Sequence, residues 1–218
     1  MQDLLRCIFL FISIGFLAAC NVFTPSIFDS PCSPPCWSHI TPGSSNIQDV
    51  LKNLKANPRV NVSTIKPWSM ISSNDAIIWY FKDVKEPDGV VILKNGVVSE
   101  IDIDLYITSI EEMIKHFGEP EKIFAEYIHV ETTYVVVIVL YPQKGLAFAL
   151  KLAPDSKGKI SLKPTDSVNG IWYYSPTDFR AFMENSSMMR LKPELLDQGL
   201  QPWAGYGDVQ YVFADNNQ

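Results

Sequence analysis

Long hydrophobic runs, clustered basic residues and histidines are all scarce in these 218 residues, and each scarcity removes a class of function. The longest apolar or small-residue run, Cys7 to Ala19, is interrupted only by Ser13. As a helix it would rise about 20 Å, short of the roughly 20 residues that cross a hydrocarbon core. Lys and Arg number 18 against 24 acidic residues, for a net charge of -6. The densest basic stretch, "KGKISLK" at 157–163, holds three lysines and reads as a solvated hairpin. Phosphate backbones are held by clustered cations, so no nucleic-acid partner is expected. The three histidines, His39, His116 and His129, fall in no G-x-S-x-G, H-E-x-x-H, G-x-x-x-x-G-K-[ST] or G-x-G-x-x-G pattern. A catalytic site needs a nucleophile, a base and a group that stabilises charge. No catalytic residue, metal ligand or cofactor is therefore expected, and the chain does not read as an enzyme.

What is present is a large apolar fraction, 47% with 12% aromatic, enough for one sizeable core or two small ones. The short apolar run after Arg6 has the form of a secretory signal peptide over residues 1–19. It ends in Leu17-Ala18-Ala19-Cys20, where two slender alanines suit a peptidase cleft. This stretch resembles the lipobox of bacterial lipoproteins. The resemblance implies cleavage before Cys20, a diacylglycerol on its sulfur, and attachment to the extracytoplasmic face of a cell membrane. Acyl chains contribute about 0.8 kcal/mol per buried CH₂, so two or three chains hold a domain firmly. Cleavage after Ala19 with a free thiol, and an uncleaved anchor, are the alternatives.

With Cys7 in the signal peptide and Cys20 acylated, "PCSPPCW" leaves Cys32 and Cys36 as a pair. An even remainder outside the cytoplasm favours a disulfide. Its loop is so short that the stabilisation is on the order of 2 kcal/mol. Free or redox-active thiols are the alternative, and a metal site would have only His39 nearby to add. Residues 20–38, rich in Pro and Ser, read as a tether spanning roughly 30 to 50 Å.

Beyond the tether, two segments match in start, stripe and stop. Ile47, Val50, Leu51 and Leu54, and 63 residues on Ile110, Met113, Ile114 and Phe117, fall at i, i+3, i+4 and i+7. That spacing gives each helix one apolar stripe. Capping boxes are expected at Ser45 with Gln48 and at Thr108 with Glu111, and the stops at Pro58 and at Gly118 followed by Pro120. Strands follow each helix: "AIIWYF" and "GVVILKNGVVSEIDID", with a hairpin at Asn95-Gly96, then "TYVVVIVLY" and "LAFALKLA". The alternation in Glu100, Asp102 and Asp104 puts three carboxylates on one strand face, which reads as a solvent face. After residue 174, "SPTDFRAFMENSS" and "KPELLDQG" read as short helices and "QPWAGYGDVQYVF" as a loop and an edge strand. The fold class is α+β, in two tandem units at 39–105 and 106–174, with a C-terminal part at 175–218.

The lipobox, the Pro-rich tether, "ITPG" at 40–43 before an amphipathic helix, and the antiparallel strands are together similar to BamE/SmpA-like and beta-lactamase-inhibitor-protein-like lipoprotein domains. "PPCW" at 34–37 is shared with bacterial lipoproteins of unknown function. The resemblance implies a module that binds another envelope protein or assists envelope assembly, with the membrane as a second partner through Cys20. An envelope hydrolase is the alternative.

Overall fold

The computed structural model describes residues 30–69, 75–82, 89–129, 132–185 and 192–213. The expected signal peptide at 1–19, the expected acylation site Cys20 and the first part of the expected tether lie outside the described residues. No helix among the described residues is long and apolar enough to cross a membrane.

Helix α1 (Ile47–Ala56) begins where the Asn46 side chain accepts the N–H groups of Gln48 and Asp49, while the Asp49 carboxylate accepts the Asn46 N–H. Helix α2 (Ile110–Phe117) begins in the same way at Ser109 with Glu112. Both boxes lie one residue later than the spacing suggested. Ser45 is unavailable because its hydroxyl accepts the Thr41 N–H at 2.9 Å. Thr108 still pairs with Val168 across a sheet and donates to Glu112 from outside the box. The shift leaves Ile47 43% exposed, and Val50 and Leu54 carry the buried stripe of α1.

The strands are β1 (Lys66–Ser69), β2 (Asp75–Trp79), β3 (Gly89–Lys94), β4 (Val97–Ser109), β5 (Lys122–His129) and β6 (Thr133–Tyr141). They continue as β7 (Leu146–Leu152), β8 (Ile160–Leu162), β9 (Ser167–Tyr174), β10 (Gln201–Pro202), β11 (Gly207–Val209) and β12 (Val212–Phe213). Ten form one sheet in the order β1-β2-β3-β4-β9-β7-β6-β5-β10, with β12 beside β5 in the only parallel pairing among the described residues. The β3–β4 connection is the expected two-residue turn, with Asn95 and Gly96 both at positive φ. The lysine-bearing stretch at 157–163 contributes β8, which pairs with β11 rather than with a neighbouring strand.

The expected boundary at 105/106 falls inside β4, a continuous strand of 13 residues. β4 pairs with β9, so strands of both halves share one sheet. α1 and α2 pack on one face of it, over a core that runs from Trp79 and Ile101 through Ile171 to Phe148. Helices α3 (Phe179–Asn185) and α4 (Pro193–Gly199) cover Trp172, Tyr174, Phe124 and Ile138 on the other face. α3 is entered by a 3-10 turn at Pro176–Asp178, and the Ser175 hydroxyl bonds Thr177 instead of capping the helix.

The described part of the expected tether is not a free coil. Residues 30–38 pack on the domain because Trp37 is buried, stacked on Trp79 with ring centroids 5.5 Å apart and edge-on to Phe81 at 6.2 Å. Two large aromatic surfaces removed from water outweigh the freedom of a Pro-rich coil.

Candidate functional site

Cys32 and Cys36 are joined by a disulfide, with Cα atoms 5.6 Å apart. The chain then turns back at once: Trp37 and Ile40 exchange both backbone hydrogen bonds, at 2.9 and 2.8 Å. The two residues between them, Ser38 and His39, have φ of 49° and 60°. Such a turn favours Asn and Gly, because other L-residues in the left-handed region are strained by of order 1 kcal/mol or more each.

Helix α1 holds them there. Asn53 Nδ2 donates to the His39 carbonyl at 2.9 Å, and Asn57 Nδ2 donates to Ser38 Oγ at 3.0 Å. The left-handed pair turns its N–H groups toward the disulfide. The Ser38 N–H donates to Ser30 Oγ at 3.2 Å, and the His39 N–H donates to Cys32 Sγ at 3.4 Å. Ser30 Oγ also lies 3.5 Å from Cys32 Sγ. A disulfide sulfur carries no hydrogen, so the serine hydroxyl is the donor. Cys32 Sγ thus accepts two hydrogen bonds.

The disulfide lines a cleft of about 550 Å³ together with His116, Phe117, Lys144 and Tyr173. α2 supplies His116 and Phe117 from its last turn, with the two rings in edge contact at 4.6 Å. The β6–β7 turn supplies Lys144, whose Nζ donates to the Phe117 carbonyl and sits 5.3 Å over the Tyr141 ring. A cation at the last carbonyls of a helix is favoured by the helix dipole. Tyr141 completes this corner by donating to the Gly118 carbonyl at 2.7 Å. Burial pushes the Tyr173 phenol well above its usual range, so it is a neutral wall of the cleft. Gly145, at φ 61°, lets Pro35 close over the turn: a Cβ there would meet Tyr174 O at 2.1 Å and Pro35 Cβ at 2.9 Å.

A second feature contradicts the sequence reading. Glu100 and Asp102, expected on a solvent face, are 5% and 8% exposed. The reason is the sheet's width. Their cross-strand neighbours are Ile92 and Val90 on β3, and Tyr174 and Trp172 on β9, and Phe182 of α3 stacks on Tyr174 at 4.1 Å. Burial, then the charges of Glu100 and Asp104, hold the Asp102 carboxyl well above the usual carboxylate range. The Trp172 indole and the Ile103 N–H temper this. Asp102 Oδ1, Trp172 Nε1 and Tyr174 Oη are all buried short of hydrogen-bond geometry. Trp79, Phe81 and the run 171–174 are buried for the same reason, with both faces of the sheet covered, while Tyr80 is half-buried.

Of the three histidines that match no catalytic motif, His39 donates its backbone N–H to Cys32 Sγ and His116 lines the same cleft. His129 instead bonds Thr133 at 2.9 Å. Among the described residues no group of three or more His, Cys, Asp or Glu is placed to hold a metal ion. Sequence reasoning missed Ser30, Ser38, Asn53, Asn57 and Lys144. Only the i, i+4 spacing of Asn53 on α1 and Asn57 at its C-cap was a usable signal. Comparison of the chain with protein-family models, with curated proteins and with solved structures finds no match.

Proposed function

We propose that the chain is a lipid-anchored extracytoplasmic protein acting as a protein-binding or envelope-assembly module, held to the membrane through Cys20. The observation that carries this reading is the position of the cleft. Ser30 to Pro34 and Cys36, which follow the proposed anchor segment, supply much of its lining, and its volume of about 550 Å³ lies in the range of binding clefts. Nine residues lie between Cys20 and Ser30, a reach of at most about 35 Å. A partner segment seated in the cleft is thus within one protein diameter of the bilayer. The disulfide in the same wall suits an oxidising compartment.

The two halves, each a helix followed by antiparallel strands, are read as a duplicated unit whose sheets have joined edge to edge at β4 and β9. The order lipobox, tether, helix, sheet supports the kinship with BamE/SmpA-like modules.

A photo-reactive side chain placed at Ser33, in the cleft, is expected to yield one discrete protein adduct in intact cells. The same group at Ser161, exposed on β8, is expected to yield none. Equal labelling from both positions would contradict the cleft as the partner site.

A further inference from the structure

We infer that Cys32–Cys36 is a thiol–disulfide exchange site, acting on cysteine thiols of an extracytoplasmic polypeptide, with Cys36 as the sulfur attacked and Cys32 as the leaving thiolate. The choice of a polypeptide substrate rests on the reading of the cleft as a partner site; the chemistry itself is testable without it.

Three observations converge. The disulfide lines an open cleft rather than being sealed in the core, so an incoming thiolate has a path. The two sulfurs are not equivalent, since Cys32 Sγ accepts from the His39 N–H and from the Ser30 hydroxyl. The third is the strained Ser38–His39 turn that aims those donors, braced by Asn53 and Asn57. Non-glycine residues are held in the left-handed region where the surrounding structure over-determines them, and such positions cluster at functional sites. The same donors would stabilise a thiolate on Cys32, and a leaving thiol of lower pKa leaves faster. Lys144 lines the same cleft, and its ammonium adds positive charge to that cleft. The loop closed by the bond is only five residues long, so its contribution to stability is modest and the fold does not hinge on keeping it closed.

The step balances as follows. A substrate thiolate forms a bond to Cys36 Sγ, the Cys32–Cys36 bond breaks, and its electron pair remains on Cys32 as a thiolate. A second substrate thiolate then attacks the substrate sulfur of the mixed disulfide and releases Cys36. The substrate dithiol is oxidised to a disulfide and the protein disulfide is reduced to two thiols, which take up the two protons lost by the substrate.

The test uses the purified full chain with reduced glutathione near neutral pH, quenched with acid, then alkylated and mapped by tandem mass spectrometry. Glutathione is expected on Cys36 with Cys32 alkylated. The folded chain is expected to react at least tenfold faster than the same chain in urea, and Ser30→Ala to slow the folded rate about fivefold. Lys144→Gln serves as a second variant, with a smaller slowing, should Ser30→Ala disturb the segment. Slower reaction of the folded chain than of the unfolded one, or glutathione on Cys32, would overturn the inference. Exchange in this assay combined with no adduct from Ser33 would count against the partner site alone.

Discussion

Replacing Gly89 with valine is expected to destabilise the fold by about 3 kcal/mol, a fall in Tm of roughly 10 °C for a domain of this size. Gly89 opens β3 directly opposite Trp79 on β2. A Cβ at this position would lie 2.0 Å from Trp79 Cζ2, with two more ring atoms within 2.6 Å. The indole cannot give way cheaply. It is fully buried, and Trp37 stacks on it. Any side chain at 89 therefore drives Trp79 into Trp37, one residue from Cys36, and is expected to loosen the disulfide segment along with the core. Thermal unfolding of the variant checks this. A change of less than about 0.5 kcal/mol would mean that the aromatic stack is not rigid.

The second large effect is on pH dependence. The Asp102 carboxyl is held well above its ordinary value by burial and by Glu100 and Asp104, so the folded chain keeps a proton that the unfolded chain releases above about pH 4. Stability from this group is fully present below that pH and is lost as pH rises through the folded value. Asp102→Asn, which needs no proton to be neutral, is expected to match the wild type near about pH 4. At about pH 8 it is expected to exceed it by on the order of 2 kcal/mol, the scale of an uncompensated buried polar group. Part of the slope survives in the variant, since Glu126, raised to about 6 by burial, acts in the same direction. Denaturant titrations of both proteins across this range decide the matter. A variant less stable than the wild type at every pH would show that the Asp102 carboxylate is favourably paired.

Local signals were legible in the chain where local chemistry governs. The Asn95-Gly96 hairpin follows from two residues that tolerate positive φ, and Val50, Leu54, Ile110 and Met113 were marked as core by spacing alone. The α+β class follows from these. What could not be read is what depends on distant partners. The pairing of β4 with β9 joins residues some 70 apart, such as Asp102 with Trp172, and it is this pairing that turns an alternating strand with a solvent-like acidic face into a buried one. The cap positions missed by one residue because Thr41 and Val168 compete for their neighbourhoods. The cleft was the least legible. Ser38 and His39 carry no turn signal of their own, and their conformation is imposed by side chains 14 and 19 residues away. Lys144 reaches Phe117 across 27 residues.

The claim on which the functional account stands is that the chain works from a membrane through Cys20. The most direct measurement is the intact mass of the protein extracted from membranes with detergent. The account predicts a chain beginning at Cys20, heavier than its amino acids by a diacylglycerol with or without a further acyl chain, and lighter by the two hydrogens of the closed Cys32–Cys36 pair. A chain of unmodified mass, whether starting at Met1 or at an unmodified Cys20, would contradict it.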